Sequence, residues 1–93
     1  MKTQGALRIL ETARLREHGC RLLRQDNLQV MEMIDPYDSA KRRYHYARVA
    51  GIRSRRVLDH DGQIIEPWAP ADLGVLKRFG GEFHPILHFF NEE

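Results

Sequence analysis

Turn-forming residues divide the chain into short segments, and this division limits the folds that are open to it. In chain order they are Gly19, Asp26–Asn27, Asp35–Pro36, Asp61–Gly62 and Gly80–Gly81. Glycine, asparagine and aspartate accept the left-handed backbone of tight turns, and proline fixes φ at a turn or at a helix start. Because no internal repeat or low-complexity linker separates these segments, we expect a single domain over residues 1–93.

The composition predicts a folded chain without covalent cross-links. Hydrophobic residues make up 42% of the 93 residues and charged residues 30%, which is enough apolar material for one small core. No apolar run approaches the roughly 18 residues of a membrane-spanning helix, and cations interrupt the first twenty residues, so we expect a cytoplasmic protein. Cys20 is the single cysteine, which excludes an internal disulfide.

Four segments are predicted to be helical. Thr3 to His18 carries apolar residues at spacings of three and four and ends before Gly19, a typical left-handed C-cap. Asp35–Pro36 predicts the start of a second helix that runs to about Ile52. A short third helix is predicted from about Pro70 to Phe79, and one or two helical turns within the apolar segment from Glu82 to Asn91.

Two segments are predicted to form β-hairpins. Residues 20–34 contain two apolar runs separated by Asp26–Asn27, although a helix over the same residues is the alternative. Residues 57–65 place Asp61–Gly62 between two apolar ends, and a loop between two helices would use the same residues. The resulting fold class is α+β and mostly helical, with about four helices and one or two short β-hairpins.

Aromatic and apolar residues suggest a surface for a protein partner. On the helix predicted from Pro36, the tyrosines lie on a face of otherwise small residues that can approach a neighbour closely. The segment after Gly81 is too apolar for a solvated tail, and we expect it to dock on the core or on another protein. The candidate partner-binding residues are Tyr37, Tyr44, Phe83, Leu87 and Phe90. Trp68, between two prolines, is expected to point inward between this helix and the terminal segment.

Basic residues are concentrated in the first part of the chain. Residues 1–56 hold thirteen Lys and Arg against six Asp and Glu, whereas residues 57–93 hold two against seven. Within residues 41–56 the cations alternate with aromatic residues, as on nucleic-acid-binding surfaces, although a solvated helix flank would have the same composition. The candidate nucleic-acid-binding residues are Lys41, Arg42, Arg43, Arg48, Arg53, Arg55 and Arg56.

The patterns that would indicate a metal site or catalysis are incomplete. His84 and His88 have the spacing of two ligands on one helical face, but a site needs a third ligand, and the pattern favours half-buried histidines with local hydrogen bonds over a metal site. Asp59 and Asp61 begin like a calcium loop without its other oxygen ligands. Nothing orients Cys20 as a nucleophile. We therefore expect no catalytic residues, no metal site and no cofactor, and the chain is not expected to be an enzyme.

From residue 28 onward the features follow a definite order: a strand-like segment over Leu28–Ile34, a capped helix that ends in residues 46–52, the Asp59–Gly62 turn, a short helix opened by residues 68–73, and an apolar terminal helix. This order resembles that of the tail assembly chaperones of long-tailed bacteriophages. The resemblance implies a non-enzymatic phage protein in the cytoplasm of a bacterial host cell, which binds tail components before assembly and forms oligomers. It transfers no functional residues.

The function expected from the sequence is thus a small non-enzymatic protein-binding module, with phage tail assembly as its context and a homo-oligomer as a possible state. A basic nucleic-acid-associated protein that uses residues 41–56 is the first alternative. A phage- or plasmid-encoded inhibitor of a host protein is the second.

Overall fold

Five strands form one antiparallel sheet in the computed structural model, which describes residues 15–35, 37–76 and 84–91. The strands are β1 (Cys20–Gln25), β2 (Leu28–Ile34), β3 (Arg43–Val49), β4 (Ile52–Leu58) and β5 (Ile64–Pro70). Each strand pairs with the next in the chain, so the order in the sheet is β1-β2-β3-β4-β5. The prediction of a mostly helical α+β fold is wrong: the protein is a small mainly-β domain.

Tight turns connect the strands. Asp26 and Asn27, with φ angles of 53° and 64°, join β1 to β2, which confirms the predicted hairpin over residues 20–34. β4 and β5 form the second predicted hairpin, and in its loop the Asp59 carboxylate accepts hydrogen bonds from the amides of Asp61 and Gln63. Asp59 therefore caps two backbone amides of this loop.

The helix predicted from Pro36 to Ile52 is wrong, because the residues after β2 form turns and then two strands. The Asp35 carboxylate accepts from the amide of Tyr37, and the Asp38 carboxylate accepts from the amide of Ala40. Both carboxylates thus cap local turns instead of a helix. Ala50 and Gly51, both with positive φ, then reverse the chain between β3 and β4.

The hydrophobic core lies between one face of the sheet and the helical segments. Its buried residues are Cys20, Met31, Tyr46, Leu76, Ile86, Leu87 and Phe90. The first three lie on strands, and we call the face of the sheet that carries them the core face. A short 3-10 helix (Leu73–Leu76) and the C-terminal helix (Pro85–Asn91) supply the last four of these residues. Fully burying a side chain as large as Phe90 or Ile86 contributes about 1.5 to 3 kcal/mol, and these two are 1% and 0% exposed.

The remaining predicted helices are found in part. Residues 15–17 are helical and Gly19 has φ of 67°, as the predicted C-cap requires, while residues 3–14 lie outside the described residues. The third predicted helix corresponds to the 3-10 helix, and residues 77–79 again lie outside. The predicted terminal helical turns are confirmed by the C-terminal helix. Among the described residues, no helix has the length and apolar character needed to cross a membrane.

Trp68 does not lie where the sequence placed it. It belongs to β5, a strand at the edge of the sheet, and its side chain is half-buried. Since the helix expected from Pro36 is absent, the inward position between that helix and the terminal segment does not exist. The Arg56 guanidinium covers the Trp68 ring instead, with its central carbon 4.6 Å from the ring centroid.

Candidate functional site

A row of polar side chains crosses the face of the sheet opposite the core face. Arg21 on β1 lies opposite Glu32 on β2, Glu32 lies opposite His45 on β3, and His45 lies opposite Arg56 on β4. Directly opposed residues share a face of a sheet, so the strand register alone brings these four together. We call Arg21, Glu32, His45 and Arg56 the polar row and the face that carries them the polar face.

Hydrogen bonds connect the polar row from end to end. The Arg21 Nε donates to Glu32 Oε1 at 2.9 Å, and His45 Nε2 lies 2.9 Å from Glu32 Oε2. The Arg56 Nε donates to His45 Nδ1 at 3.2 Å. Three of the four residues are buried, with Glu32 at 3%, His45 at 1% and Arg56 at 8% exposure. Buried polar groups with such partners avoid most of the penalty of leaving water.

The bond from Arg56 determines the protonation of His45. Because arginine can only donate, Nδ1 must carry a lone pair, and the ring proton must be on Nε2, from where it is donated to Glu32. Burial lowers the pKa of His45; the hydrogen bond with Glu32 raises it, and the nearby Arg56 and Arg43 lower it, so the net pKa is below the usual value. Both ring nitrogens are thus engaged, and His45 has no free lone pair for a substrate.

Glu32 is the negative charge of the polar row. Burial raises its pKa, but the hydrogen bonds from His45 and Arg21 outweigh burial, and the net pKa is below the usual value. The carboxylate therefore remains ionised at neutral pH. Arg21, whose side chain is 65% exposed, supplies its countercharge.

A groove at the β1–β2 end of the sheet adjoins the polar row. It encloses about 720 Å³, and its lining includes Arg21 and Glu32 of the row. Three apolar residues and two further arginines also line it: Leu15, Leu22, Ile34, Arg16 and Arg43. Ile34 lies on the polar face with Glu32, whereas Leu22 lies opposite Met31 on the core face. A second cavity of about 420 Å³ shares Ile34 and Arg16 with it and extends to Tyr37. We call the two together the β1–β2 groove.

Apolar surface is exposed in this groove. Leu22 is 44% exposed and Ile34 39%, while Tyr37 at its end is 91% exposed. In the first cavity the Glu32 carboxylate is paired by Arg21, so Arg16 and Arg43 leave this cavity with an excess of positive charge, whereas the second cavity is also lined by Glu17 and Asp35. Exposed Ile34 beside the cations Arg16 and Arg43 fits an apolar segment that carries acidic groups.

The predicted partner-binding residues are not brought together. Tyr37 lies in the β1–β2 groove, and Tyr44 is half-buried on the core face, with its hydroxyl 3.4 Å from Asp38 Oδ2. Leu87 and Phe90 are buried in the core, at 9% and 1% exposure, which accounts for their apolar character without a partner. Phe83 lies outside the described residues.

The predicted nucleic-acid-binding residues lie on both faces of the sheet, and they contact several different partner residues. Arg42 pairs with Asp38 at 2.8 Å, and Arg55 lies 3.5 Å from Glu66. On the polar face, Arg43 donates to the carbonyl of His60 and Arg56 belongs to the polar row.

The other predicted cations lie at the ends of β3 and β4. Arg48 donates to the carbonyl of Phe90, near the end of the C-terminal helix, and Arg53 lies over the Phe90 ring. Lys41 is exposed in the turn before β3. The cations that the sequence grouped within residues 41–56 thus do not form one continuous basic surface.

His84 and Cys20 have structural surroundings. The Ile86 amide donates to His84 Nδ1 at 3.2 Å, so His84 caps the C-terminal helix. Cys20 is buried in the core, and burial raises the pKa of its thiol to about 12, which keeps it protonated. The described ranges contain no group of three or more His, Cys, Asp or Glu placed to bind a metal.

The polar row is the feature that the sequence did not reveal. Its four members are far apart in the chain, and only the pairing of four strands brings them into one line. Arg43 was assigned to the helix predicted from Pro36, and Arg56 to the basic segment just beyond the end of that helix. Comparison with known protein families, with curated proteins and with solved structures found no match to this chain.

Proposed function

We propose that this protein is a small non-enzymatic protein-binding module and that the β1–β2 groove receives an apolar segment of the partner with acidic residues beside it. The observation that carries this proposal is the combination of exposed Ile34 with Arg16 and Arg43 in the first cavity of this groove. Apolar contacts supply most of the affinity of such sites, and charge complementarity supplies orientation and specificity. A cytoplasmic location is part of the proposal.

The state of the histidine and the thiol supports binding over catalysis. Both nitrogens of His45 are engaged by Glu32 and Arg56, and the thiol of Cys20 is buried and protonated. A general base needs a free lone pair, and a nucleophilic cysteine needs its thiolate. In the first cavity of the groove, the carboxylate Glu32 is already engaged by Arg21 and His45.

Selection of peptides from a random display library tests the proposal. We expect the wild-type chain to enrich segments that combine large apolar residues with Asp or Glu. Ile34→Asp, in the groove, should weaken an enriched peptide by about tenfold or more, since it puts a carboxylate where an acidic segment must dock. Ile52→Asp is the matched control, because Ile52 is 53% exposed on β4 and is not part of the groove lining.

The proposal fails if no acidic-apolar peptide is enriched, or if Ile34→Asp and Ile52→Asp bind the enriched peptides equally. Phage tail proteins belong among the full-length partners to assay, although residues 37–52, predicted as the helix that contributed to the chaperone resemblance, form turns, β3 and the start of β4. An inhibitor of a host protein would use the same groove and is distinguished by the identity of the partner alone.

Nucleic-acid binding through residues 41–56 is the alternative proposal, and it has less support. Arg42 and Arg55 face carboxylates, and Arg56 is 8% exposed. Binding to DNA or RNA oligonucleotides should, under this alternative, weaken steeply between about 50 and 200 mM salt. No binding at the lower salt concentration would eliminate it.

A further inference from the structure

Arg56 is a buried cation whose neighbours carry no compensating charge. The residue is 8% exposed, and a guanidinium remains protonated at every physiological pH. Its side-chain partners are the neutral ring of His45, at 3.2 Å, and the amide oxygen of Gln25, at 2.9 Å. Within the described part of the chain, no carboxylate lies within salt-bridge distance of it. A buried charge without a countercharge lowers the stability of the fold, and a bound anion would reduce this cost.

One end of this guanidinium remains available. Its Nε and Nη2 donate to His45 and Gln25, while Nη1 has no hydrogen bond to the described residues. Every fully buried side-chain nitrogen or oxygen among those residues has a partner, so Nη1 must reach the surface. The Trp68 ring lies on the guanidinium, with 4.6 Å between the Arg56 Cζ and the ring centroid. Stacking of this kind fixes the plane of the donor group without using its N–H bonds.

The polar face also carries more positive than negative charge. Arg43 lies opposite Leu58 on this face and is half-buried, and Arg21 lies at the other end of the polar row. Against Arg21, Arg43 and Arg56 the polar row contains one carboxylate, Glu32, which Arg21 already pairs. The local charge therefore favours an anion near Arg56.

We infer that Arg56, held in place by His45, Gln25 and Trp68, is the principal donor of an oxyanion-binding site on the polar face. The ligand chemistry is that of a small oxyanion, a carboxylate or a phosphate, because the free edge of a guanidinium binds such groups through charge-assisted hydrogen bonds. The site is separate from the apolar part of the β1–β2 groove and does not depend on the function proposed for that groove. Arg43 adds charge to the site.

The single tryptophan of the chain reports on this site. Titration with sodium phosphate, and separately with sodium acetate, at constant ionic strength set by chloride should change the Trp68 fluorescence with saturation on the order of 1 to 10 mM. The side-chain Nε–H resonance of Arg56 should shift with the same midpoint. A response to phosphate alone identifies a phosphate ligand, a response to acetate alone identifies a carboxylate, and a response to neither overturns the inference.

Variants show whether the response comes from Arg56. Arg56→Lys keeps the charge but loses the planar fork, and should weaken the apparent affinity about tenfold. Arg42→Lys is the matched control, since Arg42 is an exposed arginine outside the polar row, and it should respond like the wild type. Equal affinity of Arg56→Lys and the wild type would contradict the inference. If Arg56→Lys does not fold, the Nε–H titration of the wild-type chain decides.

Discussion

At the scale of single residues, His84 shows how a side chain of moderate basicity can take a role that is usually left to Ser, Thr, Asp or Asn. Its carbonyl accepts from the amides of Leu87 and His88, and its Nδ1 accepts from the amide of Ile86. An acceptor at Nδ1 requires the neutral ring. Burial lowers the pKa of His84 to about 4, and the nearby His18 contributes to the shift. The cap is thus complete only while the ring is uncharged.

We predict that acid weakens the fold through His84. Its pKa is about 4 in the folded chain and about 6.5 in the unfolded chain, so the unfolded chain binds more protons between these values. The stabilisation is present above pH 6.5 and is lost as the pH falls towards 4, by up to about 3 kcal/mol. His45, whose pKa is also lowered, acts in the same direction. Urea unfolding at a series of pH values measures the slope.

His84→Asn provides the comparison, because asparagine keeps an acceptor at the helix start and does not titrate. The variant should lose the part of the slope that His84 contributes and retain the part that His45 and Glu32 produce. An unchanged slope between pH 6.5 and 4 would show that another group controls the acid sensitivity.

At the scale of elements, the sequence correctly predicted the segments whose turns require particular residue types. Asp26–Asn27 and Asp61–Gly62 indicated two hairpins, and Gly19 indicated the end of a helix, because each needs a backbone that few residues adopt. β3 was mistaken for helix because Tyr44 and Ala47 fall at a helical spacing. Its alternation of polar and apolar residues runs only from Arg43 to Tyr46, because Ala47 places an apolar residue on the same face as His45. So short an alternation does not outweigh the helix start signal at Asp35–Pro36.

The turn that leads into β1 makes a sharp test of this architecture. A Cβ added at Gly19, where φ is +67°, would lie 2.7 Å from the carbonyl oxygen of Ile34, whereas one added at Gly51, where φ is +80°, meets nothing within 4 Å. Gly51→Ala should lose about 1 kcal/mol, the cost of the left-handed backbone alone. Gly19→Ala should lose more, since the backbone of β2 must also move. Chemical denaturation of both variants, side by side, measures the difference, and equal losses would contradict the close approach.

At the scale of the whole molecule, the two edges of the sheet are unequal. β1 is an edge strand without proline, and it carries exposed Leu22. β5 carries Pro67 and Pro70, which lack amide donors, and its pairing with β4 contains two register irregularities. Prolines and irregular pairing protect an edge from further strands. Any added strand is therefore expected at β1.

We predict that self-association, where it occurs, uses β1 of both copies and stops at the dimer. Sedimentation over about 1 to 100 µM should give monomer and dimer only, with the dimer favoured at the higher concentrations. Leu22→Lys, at the unprotected edge, should shift the equilibrium towards monomer, and Ile65→Lys on β5 is the matched control because Ile65 is also about half exposed, at 51%. Species larger than a dimer would refute this prediction.

The prolines of β5 also bear on the fate of the protein at high concentration. Open-ended growth of a cross-strand filament needs two receptive edges on every subunit, so that each newcomer exposes a fresh template for the next. A subunit with one receptive edge pairs with one partner and exposes no second edge for growth. Pro67 and Pro70 are therefore expected to limit assembly to the dimer, and their replacement would permit growth from a dimer to a fibril.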